Sequence, residues 1–294
     1  MSMSNHTMSI FYRAFTPDDI DAAHALSIAV RWPHRAEDWR FALGAGGGFV
    51  AILNGAVIGT ALYWKYGADR ASLGMVIVSP EQQGYGIGRK LMALLLEQTA
   101  ERITLLHATT AGKPLYEKLG FETFGATEQH QGTVSDLAQA SLPPGEQLRP
   151  LDASDMPRLI ELASRASGLD RSAVLPALLN VAQGIGLERD GELLGFSIFR
   201  RFGRGYVIGP VVAVESDDHD SLSRAKALVH HWLATNEGAF VRIDMPTECG
   251  LGGWLGELGM SRVDTVAKMV RNARTSLAAD PSVKQFSIIN QAMY

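Results

Sequence analysis

One cysteine, Cys249, occurs in 294 residues, so no disulfide can close within the chain. That scarcity fits a reducing compartment, and a cytoplasmic protein is expected. Long apolar runs are also missing, so no transmembrane helix is predicted. Met1 to Ser9 is polar and lacks the apolar centre of a secretory signal. Dense Lys/Arg runs are absent as well, and the net charge is −4. Nucleic acids need a clustered basic face, so neither nucleic acid nor membrane is an expected partner. His230 and His231 are adjacent on a predicted helix and point apart, and no other His/Cys/Asp spacing suggests metal. Cys249 lies among Gly250, Gly252 and Gly253 with no suggested His partner, which reads as a buried or incidental thiol.

What is abundant is core-forming material. The hydrophobic fraction is 46% and the charged fraction 20%, values of a globular protein with one large or two medium domains. Ile10 to Phe15 reads as a strand. Thr16-Pro17-Asp18-Asp19 then offers an N-cap, a Pro at the first helical position and first-turn acids ahead of a helix from Ile20 to Val30. Asn54-Gly55 joins two apolar runs, Gly48 to Leu53 and Ala56 to Trp64, as a hairpin. Ala71 to Val78 is a strand stopped by Ser79-Pro80. A glycine loop, an amphipathic helix from Gly88 and a short strand from Ile103 to Ala108 follow. Pro114 to Leu119 is a helical turn with Gly120 as its C-cap, and Phe121 opens another strand. From 127 to 147 the apolar periodicity weakens and Pro143-Pro144-Gly145 appears, which predicts a linker containing a short helix.

The second half repeats the first. Arg149, Asp155 and Met156 stand 136 residues after Arg13, Asp19 and Ile20, and Asp190-Gly191 and Gly195 stand 136 after Asn54-Gly55 and Gly59. Leu258-Gly259-Met260 follows Leu119-Gly120-Phe121 by 139. Matches in register argue for two copies of one fold. The expected division is 1–126, a linker at 127–147, and 148–294. Tyr206 to Val214 and Phe240 to Met245 are expected strands of the second copy. Residues 280–294 either fold back on a domain or reach a partner.

Gln83-Gly84-Tyr85-Gly86-Ile87-Gly88 sits between a strand and a helix. Glycines there permit positive φ and close backbone approach, so several N–H groups and the helix N-terminus can face one anion. The order Gly-x-Gly-x-Gly is not the dinucleotide fingerprint, and no Gly-Lys-Ser/Thr follows to make a P-loop. With Leu115-Tyr116-Glu117-Lys118-Leu119-Gly120-Phe121 downstream, residues 10–125 resemble the GNAT superfamily, the Gcn5-related N-acetyltransferases. The second half resembles it only in outline, as a degenerate tandem copy.

The resemblance implies an α/β (α+β) fold of two GNAT-like domains, each a mixed, mostly antiparallel twisted sheet flanked by helices. It implies acetyl-CoA as co-substrate, one active site per chain, and transfer to the primary amine of a small molecule by direct attack. A monomer or homodimer is expected. Gln83, Gly84, Tyr85, Gly86, Ile87, Gly88 and Arg89 would hold the pyrophosphate, and the backbone of Met75, Val76 and Val78 would face the pantetheine and acyl carbonyl. Tyr116 resembles the tyrosine that protonates the thiolate, a role a phenol with a pKa near ten can fill. Many relatives carry a Glu on the strand before the cradle, whereas Ala71 to Val78 has no acid. Trp32-Pro33-His34-Arg35-Ala36-Glu37-Asp38-Trp39 lies where relatives build the acceptor pocket. His34 is the candidate base, Arg35 a carboxylate holder, and Trp32 and Trp39 the pocket wall. His107 faces either the cleft or the end of its own strand. In the second copy the cradle projects onto His219-Asp220-Ser221-Leu222-Ser223-Arg224, without glycine, and Tyr116 projects onto Leu255. Asp217, Asp218 and Asp220 would repel a pyrophosphate, so this copy is not expected to bind CoA. A non-catalytic acyl-CoA-binding or regulatory module is the competing reading.

Overall fold

A computed structural model describes residues 9–135, 137, 142, 144–215, 222–273 and 279–294. The chain forms two compact units: residues up to Lys65 with Leu73–Ala100, and Tyr66–Ser72 with Glu101–Tyr294.

In the first unit the strands β1 (Phe11–Ala14), β2 (Gly47–Leu53), β3 (Ala56–Tyr66) and β4 (Arg70–Val78) neighbour one another in that order. Pairing from β1 to β3 is antiparallel. Three helices accompany them: α1 (Ile20–Ala29), α2 (Ala36–Gly44) and α3 (Ile87–Thr99). The predicted cap ahead of α1 forms around the Asp19 carboxylate, in the 3-10 turn Pro17–Asp19. Thr16 N–H and Oγ1 both donate to Asp19 Oδ2, and Arg13 donates two 2.7 Å bonds to the same carboxylate. The Asn54-Gly55 turn has φ of 51° and 82°, the left-handed pair that a two-residue hairpin needs. Gly59 lets α3 approach the sheet. A Cβ there would lie 3.1 Å from the Ile77 carbonyl and 3.2 Å from Leu91. The core centres on Val50, Trp39, Trp64, Ile77, Leu91 and Leu95.

The second unit opens with β5 (Ile103–Ala108), α4 (Lys113–Lys118) and β6 (Glu122–Thr133). The second copy follows as β7 (Gln147–Pro150), α5 (Met156–Ser167), α6 (Val174–Leu179), β8 (Gln183–Arg189), β9 (Glu192–Phe202) and β10 (Gly205–Val214). It continues with α7 (Ser223–Thr235), β11 (Phe240–Pro246), α8 (Gly252–Glu257), β12 (Ser261–Arg271) and β13 (Val283–Ser287). The strand order is β5-β12-β6-β11-β10-β9-β8-β7, with β13 on β10. Its core stacks Phe199 on Trp232 and on Tyr206, with ring centroids 5.0 and 4.7 Å apart.

The duplication is visible atom by atom. Arg149 donates two 2.7 Å bonds to Asp155, and Asp152 N–H donates to Asp155 Oδ2, as Arg13 and Thr16 do to Asp19. Asp190-Gly191 has φ of 53° and 81°. Each helical turn before the closing strand ends alike. Phe121 N–H donates to Tyr116 O, and Met260 N–H donates to Leu255 O.

The closing strands are exchanged. β12, from the second copy, pairs with β5 of the first. β6, from the first copy, pairs with β11 of the second. The two then pair with each other. Residues 127–133 therefore belong to β6 and not to a linker. Their ladder partners lie more than a hundred residues downstream, which local composition cannot register. Of the stretch 127–147, expected to contain a short helix, positions 136, 138–141 and 143 lie outside the described residues. Residues 280–294 fold back: β13 pairs antiparallel with Val211–Val214 of β10.

Candidate active site

The cradle lies wholly in the first unit. β4 ends at Val78, and Pro80–Gln82 forms a single 3-10 turn before the loop. Gly84 and Gly86 sit at φ of 86° and 79°, where an L side chain would be strained. Gly86 is the N-cap of α3, whose first helical bond runs from Lys90 N–H to Gly86 O. The N–H groups of Ile87, Gly88 and Arg89 thus precede the helix's own ladder. A Cβ built on Gly84 or Gly86 meets no described atom within 4 Å. The two glycines are not demanded by neighbouring protein; they leave open space beside the positive end of a 13-residue helix. That shape and polarity suit a phosphate group.

The loop is pinned at both ends. Ile87 is buried in the core, and the Gln83 side-chain amide donates to Val78 O at 3.2 Å. Gln83 therefore ties the loop back to β4. Tyr85 is exposed at 75% and Arg89 is also exposed. Along β4, Met75 and Ile77 are buried while Val76 and Val78 are half-buried. Met75 breaks the strand's regular backbone with φ of 53°.

Tyr116 belongs to the second unit, on α4. It is buried, with its ring edge-on to Phe121 at 6.2 Å between centroids. Burial pushes its phenol up to about 12. At neutral pH it is a proton donor that cannot ionise, the state an acid for a thiolate must hold.

The aromatic segment divides. Trp32 and His34 are half-buried, and the His34 ring lies 5.7 Å from Trp32 and 6.4 Å from Trp39. Trp39 itself is fully buried. It stacks on Phe15 and donates its indole N–H to Ser27 Oγ at 2.8 Å. Its expected place in a pocket wall is corrected: the ring is core, because its one polar atom finds a buried partner on α1. Arg35 is committed to Asp38, whose carboxylate also accepts the Arg35 N–H and caps α2.

His107 is locked within the second unit. Its Nδ1 donates to Gln291 O at 2.7 Å and its Nε2 accepts from Thr127 Oγ1 at 2.8 Å. Burial lowers its pKa to about 3, so it stays neutral. Burial likewise pushes the Cys249 thiol up to about 11, away from the thiolate a nucleophile needs. Cys249 and His107 both line a cavity of about 790 Å³ in this unit. Among the described residues no cluster of His, Cys, Asp or Glu could hold a metal, and no helix is long and apolar enough to cross a membrane.

Two family models match the chain: the acetyltransferase (GNAT) family over residues 8–121 and an acetyltransferase (GNAT) domain over residues 159–282. A Bacillus subtilis protein named as the uncharacterized N-acetyltransferase YitH is 30% identical over 197 residues, spanning 66% of this chain and 67% of the relative. The chain belongs to the GNAT family of acetyltransferases. It is accordingly an acyltransferase built of two GNAT domains. Its fold is shared with a putative acetyltransferase from Pyrococcus horikoshii at a TM-score of 0.80 and 21% identity, over 100% of this chain and 99% of that one. A tandem GNAT protein from the clavulanic acid biosynthesis pathway aligns at 0.65 and 16% identity, over 91% of this chain and all of the other. At such identities the likeness is one of fold.

In the second GNAT domain, positions 219–221 of the projected cradle lie outside the described residues. Arg224 stands where Gly88 stands. Its buried guanidinium donates to Glu146 at 2.6 and 2.9 Å and to the carbonyls of Val214 and Glu215. Leu255, at the place of Tyr116, is wholly buried and carries no proton to give. Sequence comparison of the halves missed one feature. β10 pairs with β11 only at Tyr206–Ile208, and beyond that β13 takes its edge. The apolar spacing of Phe286, Ile288 and Ile289 was the available signal.

Proposed function

We propose that this acetyltransferase moves an acetyl group from acetyl-CoA to the primary amine of a small molecule, by direct attack with both substrates bound. One observation carries the reading: two left-handed glycines facing open space at the N-terminus of α3. A Cβ at either position would fill that space, so the residues present fit a pyrophosphate. The backbone N–H groups from Gly84 to Arg89 would hold it, with Arg89 adding positive charge. The Val76 N–H would receive the acyl oxygen, with Met75 and Val78 beside it along the pantetheine. Bound acetyl-CoA supplies an activated thioester; the chain's part is to orient it and manage protons. Tyr116 would give its proton to the departing sulfur. His34 is the candidate base that keeps the amine neutral, and Trp32 shares its surface. Arg35 contributes to the acceptor side through a guanidinium already neutralised by Asp38. We assign catalysis to residues 1–126 and a supporting role to the degenerate domain from 148 onward.

A free-thiol assay for CoA release, run with acetyl-CoA against small primary amines, tests this. Turnover with at least one amine is expected. Acetyl-CoA binding with no turnover on any amine would convert the protein to a binding module, a reading to which the acid-free β4 lends weight. Failure to bind acetyl-CoA would remove the cradle assignment itself.

A further inference from the structure

Met75 is a buried, non-glycine residue in the left-handed region, in the middle of a strand. Such a residue is strained and persists only where its surroundings enforce it. One buried contact bears directly on its peptide. Thr60, on β3 and fully buried, donates its hydroxyl to Met75 O at 2.9 Å. A buried threonine hydroxyl in a strand core has few partners to choose from, and this one is spent on the carbonyl of the strained residue.

The consequence follows from peptide geometry. The Met75 carbonyl and the Val76 N–H belong to one planar trans unit, so they point in opposite directions. Fixing the oxygen toward Thr60 fixes the N–H away from it. A left-handed step in a strand is also the device by which a bulge re-aims one peptide out of the ladder. We propose that Thr60 is a positioning residue for acyl transfer, whose hydroxyl holds the Met75–Val76 peptide so that the Val76 N–H points at the acyl oxygen. This rests on the reading of β4 as the acyl-facing strand. Thr60 touches neither substrate, and its effect passes entirely through one peptide plane.

The test compares Thr60→Val, which keeps the shape and removes the donor, with Thr60→Ser, which keeps the donor. Acetyl-CoA and CoA affinities are measured by calorimetry on the full chain, and kcat and KM on any amine the wild type accepts. The acyl oxygen is present only in acetyl-CoA, so Thr60→Val should lower the acetyl-CoA to CoA affinity ratio at least fivefold and leave CoA affinity within twofold. kcat should fall roughly 10- to 100-fold with little change in amine KM, less than the roughly 10²- to 10³-fold of removing an oxyanion donor outright, because the N–H is misaimed and not lost. Thr60→Ser should restore both. An unchanged affinity ratio and kcat in Thr60→Val, or an equal loss of both ligands, overturns the inference.

A second measurement needs no variant. With valine-selective 15N labelling, the Val76 amide proton should move downfield on adding acetyl-CoA but not CoA. Identical shifts with the two ligands overturn the inference together with the placing of the acyl oxygen at Val76, and leave the cradle assignment standing. If the wild type binds neither ligand, the reading of the cradle fails first and takes this with it.

Discussion

Gly86→Glu separates the electrostatics of the cradle from its folding. No described atom lies within 4 Å of the Cβ the substitution adds, so it meets no packing penalty. The folding cost is the left-handed backbone alone, about 1–2 kcal/mol for a residue other than glycine. Gly86→Gln carries that same cost with nearly the same shape. The difference between the two variants is therefore the charge. A carboxylate about 5 Å from each of two phosphate charges gains a repulsion of about 1 kcal/mol per pair at the dielectric of water and about 3 at an effective value of 20. Two pairs give about 2–6 kcal/mol, or roughly 30-fold to 10⁴-fold in affinity. Calorimetric titration of acetyl-CoA into the wild type, Gly86→Gln and Gly86→Glu measures it. The gap between the two variants should narrow as salt rises, because the loop is exposed and screening reaches it. Equal affinity in all three proteins would show that no anion sits over Gly86. Equal loss in both variants would leave shape as the cause and refute the electrostatic argument.

Tyr116→Phe should lower kcat tenfold or more while acetyl-CoA affinity changes less than twofold, read from initial rates and calorimetry; equal kcat would remove the acid role. Because burial raises the Tyr116 pKa to about 12, its stability contribution is complete below pH 10 and is lost between about 10 and 12, as the unfolded phenol ionises first. The activity profile should accordingly show no loss of this acid below pH 10. Arg171→Met should destabilise the second unit by about 3 kcal/mol or more in urea unfolding. It removes two donors, to Met293 O at 3.0 Å and Tyr294 O at 2.7 Å, from a fully buried site. Cys249→Ser should leave acetyl transfer unchanged. The native thiol should react with a maleimide at pH 7 far more slowly than a free cysteine, since burial holds it protonated.

What the sequence made legible was local. The Thr16–Asp19 cap, the Asn54-Gly55 turn and the Gly120 terminator each depend on residues within a few positions. The duplication was legible because those same local devices recur in register. Tertiary causes stayed hidden. Residues 127–133 read as linker because Gln129, Gln131 and Gly132 break apolar alternation. Gly132 is required there by packing: a Cβ would lie 2.6 Å from the Gly259 carbonyl of the other copy. Trp39 read as pocket wall because aromatic and charged residues were concentrated around it. Its partner Ser27 is twelve residues earlier, and the hydrogen bond between them puts the indole in the core. The cradle was legible as a loop, but its defining property, positive φ facing open space, required coordinates.

The exchanged strands explain why the second domain could lose its chemistry and keep its fold. β6 and β12 lie side by side, and each also pairs with the fifth strand of the other copy, so neither copy closes its sheet with its own last strand. The second domain is therefore held by burial and by ladders that the first copy's strand helps to complete. Its own gap, where β10 leaves β11 after Ile208, is filled from within. β13 pairs with Val211–Val214, Ile288 N–H donates to Asp244 O, and Ser287 Oγ donates to Ile208 O. The filling is close: a Cβ on Gly209 would lie 2.1 Å from the Ile288 carbonyl. The segment beyond it is held by side chains that donate to successive carbonyls. His107 binds Gln291 O, Ser72 binds Ala292 O, Tyr66 and Arg171 bind Met293 O, and Arg171 binds Tyr294 O. A ligand entering between β10 and β11 would have to displace this strand and leave those buried donors without partners. On the proposed reading, Arg224 and Leu255 stand apart from catalysis, and the packing of β13 is consistent with one cradle per chain.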